Sequence, residues 1–316
     1  MTTKSLQLLF DAMHHGKYEF EDFLCGNVAA NYDMVIVNGR PVYRPNRKLK
    51  AYHKFLNAFL CEYLDVNSRV VYSYRKGVNP HAAVSAHAKS RAFFQTDVSN
   101  FFGSIDSDMV RTTLAKRSTR VPIADFHQHT ERILDLITID GLLPVGFATS
   151  PPISNACLTG FDDELEAHCK KACLIYTRYS DDVVISADSR ERLDGIEASV
   201  DQLLKLHSSG RLQLNSAKSK LTSVGRKIKI LGMVILPSGQ VTLDMELKKR
   251  IEVLLHFYAT DREKFLNIVE SDAKRGIERL SGYINYVNAA DTLYLEKLRR
   301  KFGSTIIDSF LHKSAT

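Results

Sequence analysis

Two alternating apolar runs flank a polar tetrapeptide near the middle of the chain. Leu174–Arg178 precedes Tyr179-Ser180-Asp181-Asp182, and Val183–Ala187 follows it. Both runs are rich in β-branched and aromatic residues with turn formers between them, which predicts a β-hairpin. Two adjacent carboxylates at its tip repel each other unless a cation neutralises them, and Mg²⁺ takes oxygen ligands. Because Asp is also a common turn residue, this pair alone does not distinguish a metal site from an ordinary turn.

A second apolar run, Ala92–Val98, carries one carboxylate, Asp97, near its end. An isolated Asp at the end of a buried strand is costly unless it is paired or bound to metal. Asp97 could meet Asp181 and Asp182 around two metal ions, which lie about 3.5–4 Å apart in sites of phosphoryl transfer. The pattern predicts a site for two Mg²⁺ ions.

Helical periodicity appears in three other parts of the chain. Residues 1–30 predict one or two helices, and Asn155–Lys171 predicts a single helix. Pro237-Ser238-Gly239 predicts a turn, and the residues after it have helical spacing. The helix predicted for Asn155–Lys171 depends on Leu158, Phe161, Leu165 and His168, which fall on one face. The helical spacing after the turn depends on Ile251, Leu254, Leu255 and Tyr258.

Three stretches, in the expected order, resemble motifs of reverse transcriptases. Phe94–Phe102 resembles their first catalytic motif, and Tyr179-Ser180-Asp181-Asp182 resembles their Tyr-x-Asp-Asp box. Between them, Leu143–Asn155 resembles the Leu-Pro-Gln-Gly…Ser-Pro…Asn motif, with Val145 in place of the usual Gln. The resemblance implies a polymerase palm and RNA-directed DNA synthesis.

Further stretches resemble the bacterial retron type. Arg40–Lys50 is similar to a fingers motif, and Tyr176-Thr177-Arg178-Tyr179 matches the retron sequence that leads into the catalytic box. His87 lies ten residues before Asp97, as does the His of the retron Asn-Ala-x-x-His motif.

Two positions depart from the retron pattern. Ala83-Val84 stand where the retron motif has Asn-Ala, and Ile230-Leu231-Gly232 keeps only the glycine of Val-Thr-Gly. Another bacterial reverse transcriptase, group II intron-like or defence-associated, is therefore an alternative. A non-catalytic RNA-binding scaffold is a second alternative, although retention of all three Asp residues speaks against it.

The resemblance implies an α+β, right-hand polymerase fold with fingers, a palm containing an antiparallel sheet, and a small helical thumb. We expect N-terminal helices and fingers in residues 1–91. The palm, with inserted fingers helices, would span 92–236, and the helical thumb 237–316.

The resemblance also implies roles for single residues. Phe102, five positions after Asp97, falls where the family places a steric gate against the 2′-hydroxyl, and Lys218 ends an Asn-x-x-Lys motif. Arg40 suits the triphosphate because a planar guanidinium matches phosphate oxygens. The complete set is Asp97, Asp181 and Asp182 as catalytic residues and metal ligands, and Arg40, Phe102, Gly146 and Lys218 as nucleotide-binding residues.

Positive charge is concentrated in parts of the chain whose net charge is +7. Between Arg40 and Arg91 there are eleven Lys and Arg residues against two acidic residues. Between Lys205 and Lys229 there are seven basic residues and no acidic one. A solvated surface usually mixes the signs, so these stretches predict contact with phosphate backbone. A third basic cluster, Arg299, Arg300 and Lys301, predicts RNA binding by the thumb.

Sequence features exclude some classes and suggest partners. The chain contains no apolar run of roughly 18 residues and no signal-peptide core, which favours the cytoplasm over a membrane.

By resemblance, a retron enzyme copies part of its own structured noncoding RNA with deoxynucleoside triphosphates. It leaves a branched RNA–DNA hybrid that acts in anti-phage defence. We expect the toxic effector of such a system to be a separate protein.

Overall fold

The computed structural model describes residues 3–223, 225, 227–269 and 273–312. Their contacts divide them into two compact units. The first contains residues 3–76, 94–185 and 191–220, and the second contains 77–93, 186–190 and the described residues from 221 onward. The three-part division predicted from the sequence stays a prediction.

The described residues contain helices throughout, numbered here in chain order. They are α1 (Leu6–His14), α2 (Phe20–Cys25), α3 (Arg47–Phe59), α4 (Pro80–Ser85), α5 (Ser107–Arg117), α6 (Thr130–Ile137), α7 (Ser150–Cys157), α8 (Thr159–Lys171), α9 (Ile196–His207), α10 (Met245–Thr260), α11 (Arg262–Val269), α12 (Ala273–Ala290), α13 (Thr292–Phe302) and α14 (Ser304–His312).

The strands form three sheets. The strands are β1 (Tyr32–Val37), β2 (Arg40–Pro45), β3 (Ala92–Asp97), β4 (Ile175–Tyr179), β5 (Asp182–Ala187), β6 (Lys220–Ser223), β7 (Ile228–Ile230), β8 (Met233–Ile235) and β9 (Val241–Leu243). A two-stranded sheet pairs β1 with β2, a four-stranded sheet has the order β4-β5-β3-β6, and an antiparallel three-stranded sheet has the order β7-β8-β9.

One or two helices were predicted near the N-terminus, and the structure has two, α1 and α2, which pack on α3 through aromatic rings. The Phe10 ring centroid lies 5.0 Å from that of Phe23 and 5.4 Å from that of Phe55. All three side chains are fully buried. α1 and α2 therefore supply part of the hydrophobic core of the first unit.

The β1–β2 hairpin ends in a tight turn formed by Asn38 and Gly39. Both residues have positive φ angles, 50° and 75°, which is the combination that a two-residue hairpin turn favours. The turn brings Arg40 directly opposite Val37 at the tip of the hairpin. The position of Arg40 is thus fixed by turn chemistry.

The single helix predicted for Asn155–Lys171 is wrong in two respects. α7 ends at Cys157 and α8 begins at Thr159, with Leu158 at φ −92° and ψ 3° between them. His168 is exposed, whereas Asp162 is fully buried on α8. An acidic residue can occupy a core position when a buried cation pairs with it. Asp162 was therefore missed by a prediction based on hydrophobic spacing.

The second unit combines the antiparallel sheet with helices α10–α14. Ile251, Leu254 and Leu255 are buried as the helical spacing predicts, and Pro237-Ser238-Gly239 forms the turn between β8 and β9. Leu231 and Gly232 form another turn with positive φ angles of 49° and 76°. This backbone conformation accounts for the one glycine that the chain keeps from the Val-Thr-Gly motif.

In the part of the chain that the structure describes, none of the helices combines the length and the apolar character needed to span a membrane.

Candidate active site

The predicted hairpin around the paired carboxylates is confirmed. β4 ends at Tyr179 and β5 begins at Asp182, so Ser180 and Asp181 form a two-residue turn. Ser180 has a positive φ of 60°. The carbonyl of Asp181 accepts a hydrogen bond of 3.1 Å from the Val98 amide. The turn therefore lies beside the end of β3, which carries Asp97.

A second turn brings a lysine to the same carboxylates. The Asn215 amide donates to the Asp97 carbonyl at 2.9 Å, and the Lys218 amide donates to the Asn215 carbonyl at 2.9 Å. The Lys218 ammonium forms an ion pair with Asp97 Oδ2. Asp97 Oδ1 is buried and has no hydrogen-bond partner among the described residues.

Electrostatic repulsion is visible at Asp182. Burial, followed by the negative charges of Asp181 and Asp97, raises the pKa of Asp182 to about 6. Lys218 and Lys220 oppose this shift. The site holds its carboxylates close enough to disfavour full ionisation, which is the condition that a bound cation relieves.

Five of the seven predicted catalytic and nucleotide-binding residues line one cleft of about 780 Å³ in the first unit, and Asp182 and Gly146 are not among its lining residues. The cleft is lined by Arg40, Asp97, Phe102, Asp181 and Lys218. β1 and β2, the end of β3, the hairpin turn and the Asn215–Lys218 turn all contribute to its walls. Residues far apart in sequence therefore meet around one space.

The two neighbouring phenylalanines differ in exposure. Phe101 is buried and Phe102 is half-buried, and both line the cleft. Their ring centroids are 5.2 Å apart. The buried Phe101 ring supports the half-buried Phe102 ring.

Gly146 has a close neighbour that the sequence did not reveal. Its φ is +107°, and a Cβ atom there would lie 2.2 Å from the Tyr43 carbonyl oxygen. The Tyr43 amide donates to the Val145 carbonyl at 2.8 Å. A side chain at position 146 would force the loop away from β2. The predicted contact of Gly146 with a nucleotide stays a prediction.

The basic stretches divide into paired and unpaired cations. The stretch 205–229 has no acidic residue of its own, yet five of its basic residues form ion pairs with acidic residues outside the stretch. Arg226 lies outside the described residues. Five exposed cations on β2 and α3 take part in none of the ion pairs found among the described residues: Arg40, Arg44, Arg47, Lys50 and Lys54. Phosphate contact is therefore better supported on the β2–α3 surface than along 205–229.

The three basic residues predicted for RNA binding on α13 also differ in whether they form ion pairs. Arg299 pairs with Asp308 at 2.8 Å and with Glu296, and Lys301 pairs with Glu252. Arg300 is exposed and takes part in none of the ion pairs found in the described part of the chain. Of the three, it is the one whose charge is not already neutralised.

The donor set fits a hard divalent cation. Among the described residues, no group of three or more His, Cys, Asp or Glu side chains is placed so that it could by itself hold a metal ion. The unpartnered oxygen of Asp97 and the crowded carboxylate of Asp182 are nevertheless the oxygen ligands that Mg²⁺ prefers. Lys218 provides positive charge beside them.

Two buried residues beside the turn were not predicted as site residues. Arg178 and Asp162 form an ion pair with both side chains inaccessible to solvent. The sequence signals Arg178 in two ways, as a charged residue inside the apolar run before the catalytic box and as part of the Tyr176–Tyr179 match to the retron lead-in.

Comparison with known proteins agrees with the geometry of the cleft. The family model for reverse transcriptase (RNA-dependent DNA polymerase) matches residues 37–235, more than half of the chain. The chain therefore belongs to the reverse transcriptase family and is an RNA-directed DNA polymerase, with the predicted α+β polymerase fold.

Retron enzymes are among the proteins to which this chain is similar. Retron Ec83 reverse transcriptase of Escherichia coli is 24% identical, over 92% of this chain and 93% of the relative. Retron Ec73 reverse transcriptase, also from Escherichia coli, is 25% identical over 84% of each chain. Retron Ec86 reverse transcriptase from the same organism is 24% identical, over 84% of this chain and 78% of the relative. The predicted retron type is confirmed.

The repulsion that raises the pKa of Asp182 can be tested through the stability of the metal-free protein. The folded protein binds this proton more tightly than the unfolded chain, so stability falls as pH rises from the ordinary carboxyl range through about 6. Asp182→Asn removes that cost. At pH 7.5 in EDTA we expect a melting temperature about 1–3 °C above wild type, since solvent exposure limits the gain. The gain should shrink at pH 5, and an equal or lower melting temperature at pH 7.5 would contradict the repulsion.

Proposed function

We propose that this reverse transcriptase is the polymerase of a retron. It would copy part of a structured noncoding RNA into branched, multicopy single-stranded DNA in the cytoplasm, as part of an anti-phage defence with a separate effector protein. The catalytic part rests on one observation, the meeting of Asp97, Asp181 and Lys218 in the cleft that Arg40 also lines. The retron part is supported by similarity to retron reverse transcriptases over most of the chain.

In the proposed mechanism Asp97 and Asp181 are the principal ligands of two Mg²⁺ ions, and Asp182 is a weaker ligand or electrostatic partner. Two bound Mg²⁺ ions would activate the primer hydroxyl and stabilise charge on the leaving phosphate of a deoxynucleoside triphosphate. Arg40 has no competing ion pair among the described residues and binds the triphosphate. Lys218 leaves Asp97 to meet the departing phosphates.

Phe102 serves as the gate for the sugar in this proposal. Its half-buried ring borders the cleft and rests against Phe101, so it offers a firm surface to the ribose. A 2′-hydroxyl would meet this ring, whereas the hydrogen of a deoxyribose would not. Selection of deoxynucleotides thus follows from a single side chain.

Replacing a carboxylate at the turn tests the catalytic assignment. Asp181→Asn should lower primer extension with Mg²⁺ on the order of 100-fold or more, because it removes a ligand charge. Folding and RNA binding should remain, since the basic surfaces are untouched. The matched control is Asp188→Asn, at an exposed Asp just after β5. Full activity of Asp181→Asn would refute the metal assignment.

The gate is tested by the ratio of ribonucleotide to deoxynucleotide incorporation. Phe102→Ala should raise this ratio, because removing the ring removes the clash with the 2′-hydroxyl. Phe102→Tyr, which keeps the ring, should leave the ratio close to wild type. A folded Phe102→Ala variant with an unchanged ratio would show that the ring only supports the core.

Arg299 forms ion pairs on α13 and Arg300 does not, so variants of these two residues can be compared to test RNA binding. Arg300→Glu should weaken binding of the structured RNA and make its salt dependence shallower by about one unit in the logarithmic plot. Arg299→Glu should instead lower the melting temperature, because it breaks the pairs with Asp308 and Glu296. Filter binding across a salt series and thermal denaturation separate the effects. Equal RNA affinity of Arg300→Glu and wild type would place the recognition surface elsewhere.

Sequencing the nucleic acid that copurifies with the protein separates the retron from its alternatives. A retron enzyme should carry a branched molecule in which DNA begins at the 2′-hydroxyl of an internal guanosine. An intron-like or other defence-associated enzyme would carry unbranched product. A scaffold would carry RNA without DNA, and that result would overturn the proposed activity as well.

A further inference from the structure

Arg178 is the largest side chain that the described part of the chain buries completely. It lies on β4, two residues before Ser180 in the catalytic turn. Taking a guanidinium out of water is costly, and its attraction to a partner repays the cost only when the geometry and the remaining hydrogen bonds are good. Burial of Arg178 is therefore tolerated only if each of its donors is bound within the protein.

Two of its nitrogens form a fork with one carboxylate on α8. Arg178 Nε donates to Asp162 Oδ1 at 2.7 Å, and Nη2 donates to Oδ2 at 2.6 Å. The Tyr176 hydroxyl also donates to Asp162 Oδ1, at 2.7 Å. This bidentate geometry holds the plane of the guanidinium in a fixed orientation.

The remaining terminal nitrogen is directed at the catalytic turn. Arg178 Nη1 donates to the Ser180 carbonyl at 2.9 Å and to Asn155 Oδ1 at 3.0 Å. The Ser180 carbonyl belongs to the peptide that joins Ser180 to Asp181. Holding this carbonyl restricts the rotation that would move the Asp181 side chain.

The amide of Ser180 is held from the other side. It donates to Ser73 Oγ at 2.8 Å, and the Ser73 carbonyl accepts from Asn155 Nδ2 at 2.8 Å. Asn155 thus links the two anchors. Both backbone polar groups of Ser180 are bound to side chains, and this residue has a φ of 60°, where a non-glycine residue needs support from its surroundings.

These contacts restrain the turn without using its charges. None of the hydrogen bonds or ion pairs found among the described residues involves a side-chain oxygen of Asp181 or Asp182. The backbone is anchored while the carboxylates remain available to a ligand. An anchor that paired with the carboxylates directly would compete with that ligand.

We propose that Arg178 is a positioning residue, which Asp162 orients and which holds the Ser180 carbonyl so that Asp181 and Asp182 keep their places relative to Asp97. This proposal rests on the proposed catalytic role of Asp181 and Asp182. Its test must separate a loss of positioning from a loss of stability, because breaking a buried pair destabilises a protein whatever its function.

A double variant makes this separation. Arg178→Met alone leaves the Asp162 carboxylate buried and unpaired, so it should lower both the melting temperature and the extension rate. Adding Asp162→Leu removes that charge and should restore much of the melting temperature. It cannot restore the donor to the Ser180 carbonyl. We expect the double variant to extend a primer on the order of 100-fold more slowly than wild type at saturating nucleotide, with a smaller change in KM.

Hydrogen exchange of the turn provides a readout that does not depend on activity. In the metal-free protein, exchange of the amides of residues 180–182 should be faster in the double variant than in wild type. The matched control is Glu166→Gln, one turn further along α8, where Glu166 pairs with the exposed Arg69 and with Lys170. This control should leave exchange at the turn and the extension rate unchanged.

The outcomes separate the possible roles. Recovery of both melting temperature and extension rate in the double variant would make the pair purely structural and overturn the proposal. Unchanged exchange at the turn in a folded double variant would overturn it as well. Faster exchange with slower extension supports it. Failure of the proposed function would appear separately, as full activity of Asp181→Asn, in which the anchors of the turn are intact.

Discussion

Repulsion among carboxylates is the constraint on which the cleft depends. Asp97 ends one strand, and Asp181 and Asp182 belong to the turn beside it. Burial, together with the nearby charges of Asp181 and Asp97, raises the pKa of Asp182 to about 6 even with Lys218 present. The backbone around them must therefore be held by interactions strong enough to oppose a force that pushes the carboxylates apart.

Hydrogen bonds to the main chain of the turn, here called anchors, hold the carboxylates in place against this repulsion. The Asp181 carbonyl is bound by the Val98 amide, and the Ser180 backbone is bound by Arg178 and Ser73. Each anchor acts on the main chain, so none of the anchors uses a side-chain oxygen of Asp181 or Asp182. The buried Arg178–Asp162 pair connects this turn to α8, and through it to the hydrophobic core of the first unit.

The sequence predicts local features well because these depend on neighbouring residues. The hairpin around Asp181, the strand ending in Asp97 and the buried face of α10 all follow from periodicity and turn chemistry. Pairings across the chain were not predictable in this way. Asp162 and Arg178 are charged residues that a hydrophobic pattern assigns to the surface, and Asp308 neutralises Arg299 from another helix. A count of charges along the sequence cannot show which of them are already paired in the fold.

In the proposed mechanism, the ion pair between Lys218 and Asp97 would couple two binding events that use different chemistry. A cation that takes the paired oxygen of Asp97 must release the ammonium, and a polyphosphate that attracts the ammonium must free that oxygen. Each ligand would thereby remove an obstacle to the other. Because such coupling is reciprocal, one lysine would make the affinities for metal and for nucleotide rise together by the same factor. Cooperativity at this site would then require no movement larger than that of a single exposed side chain.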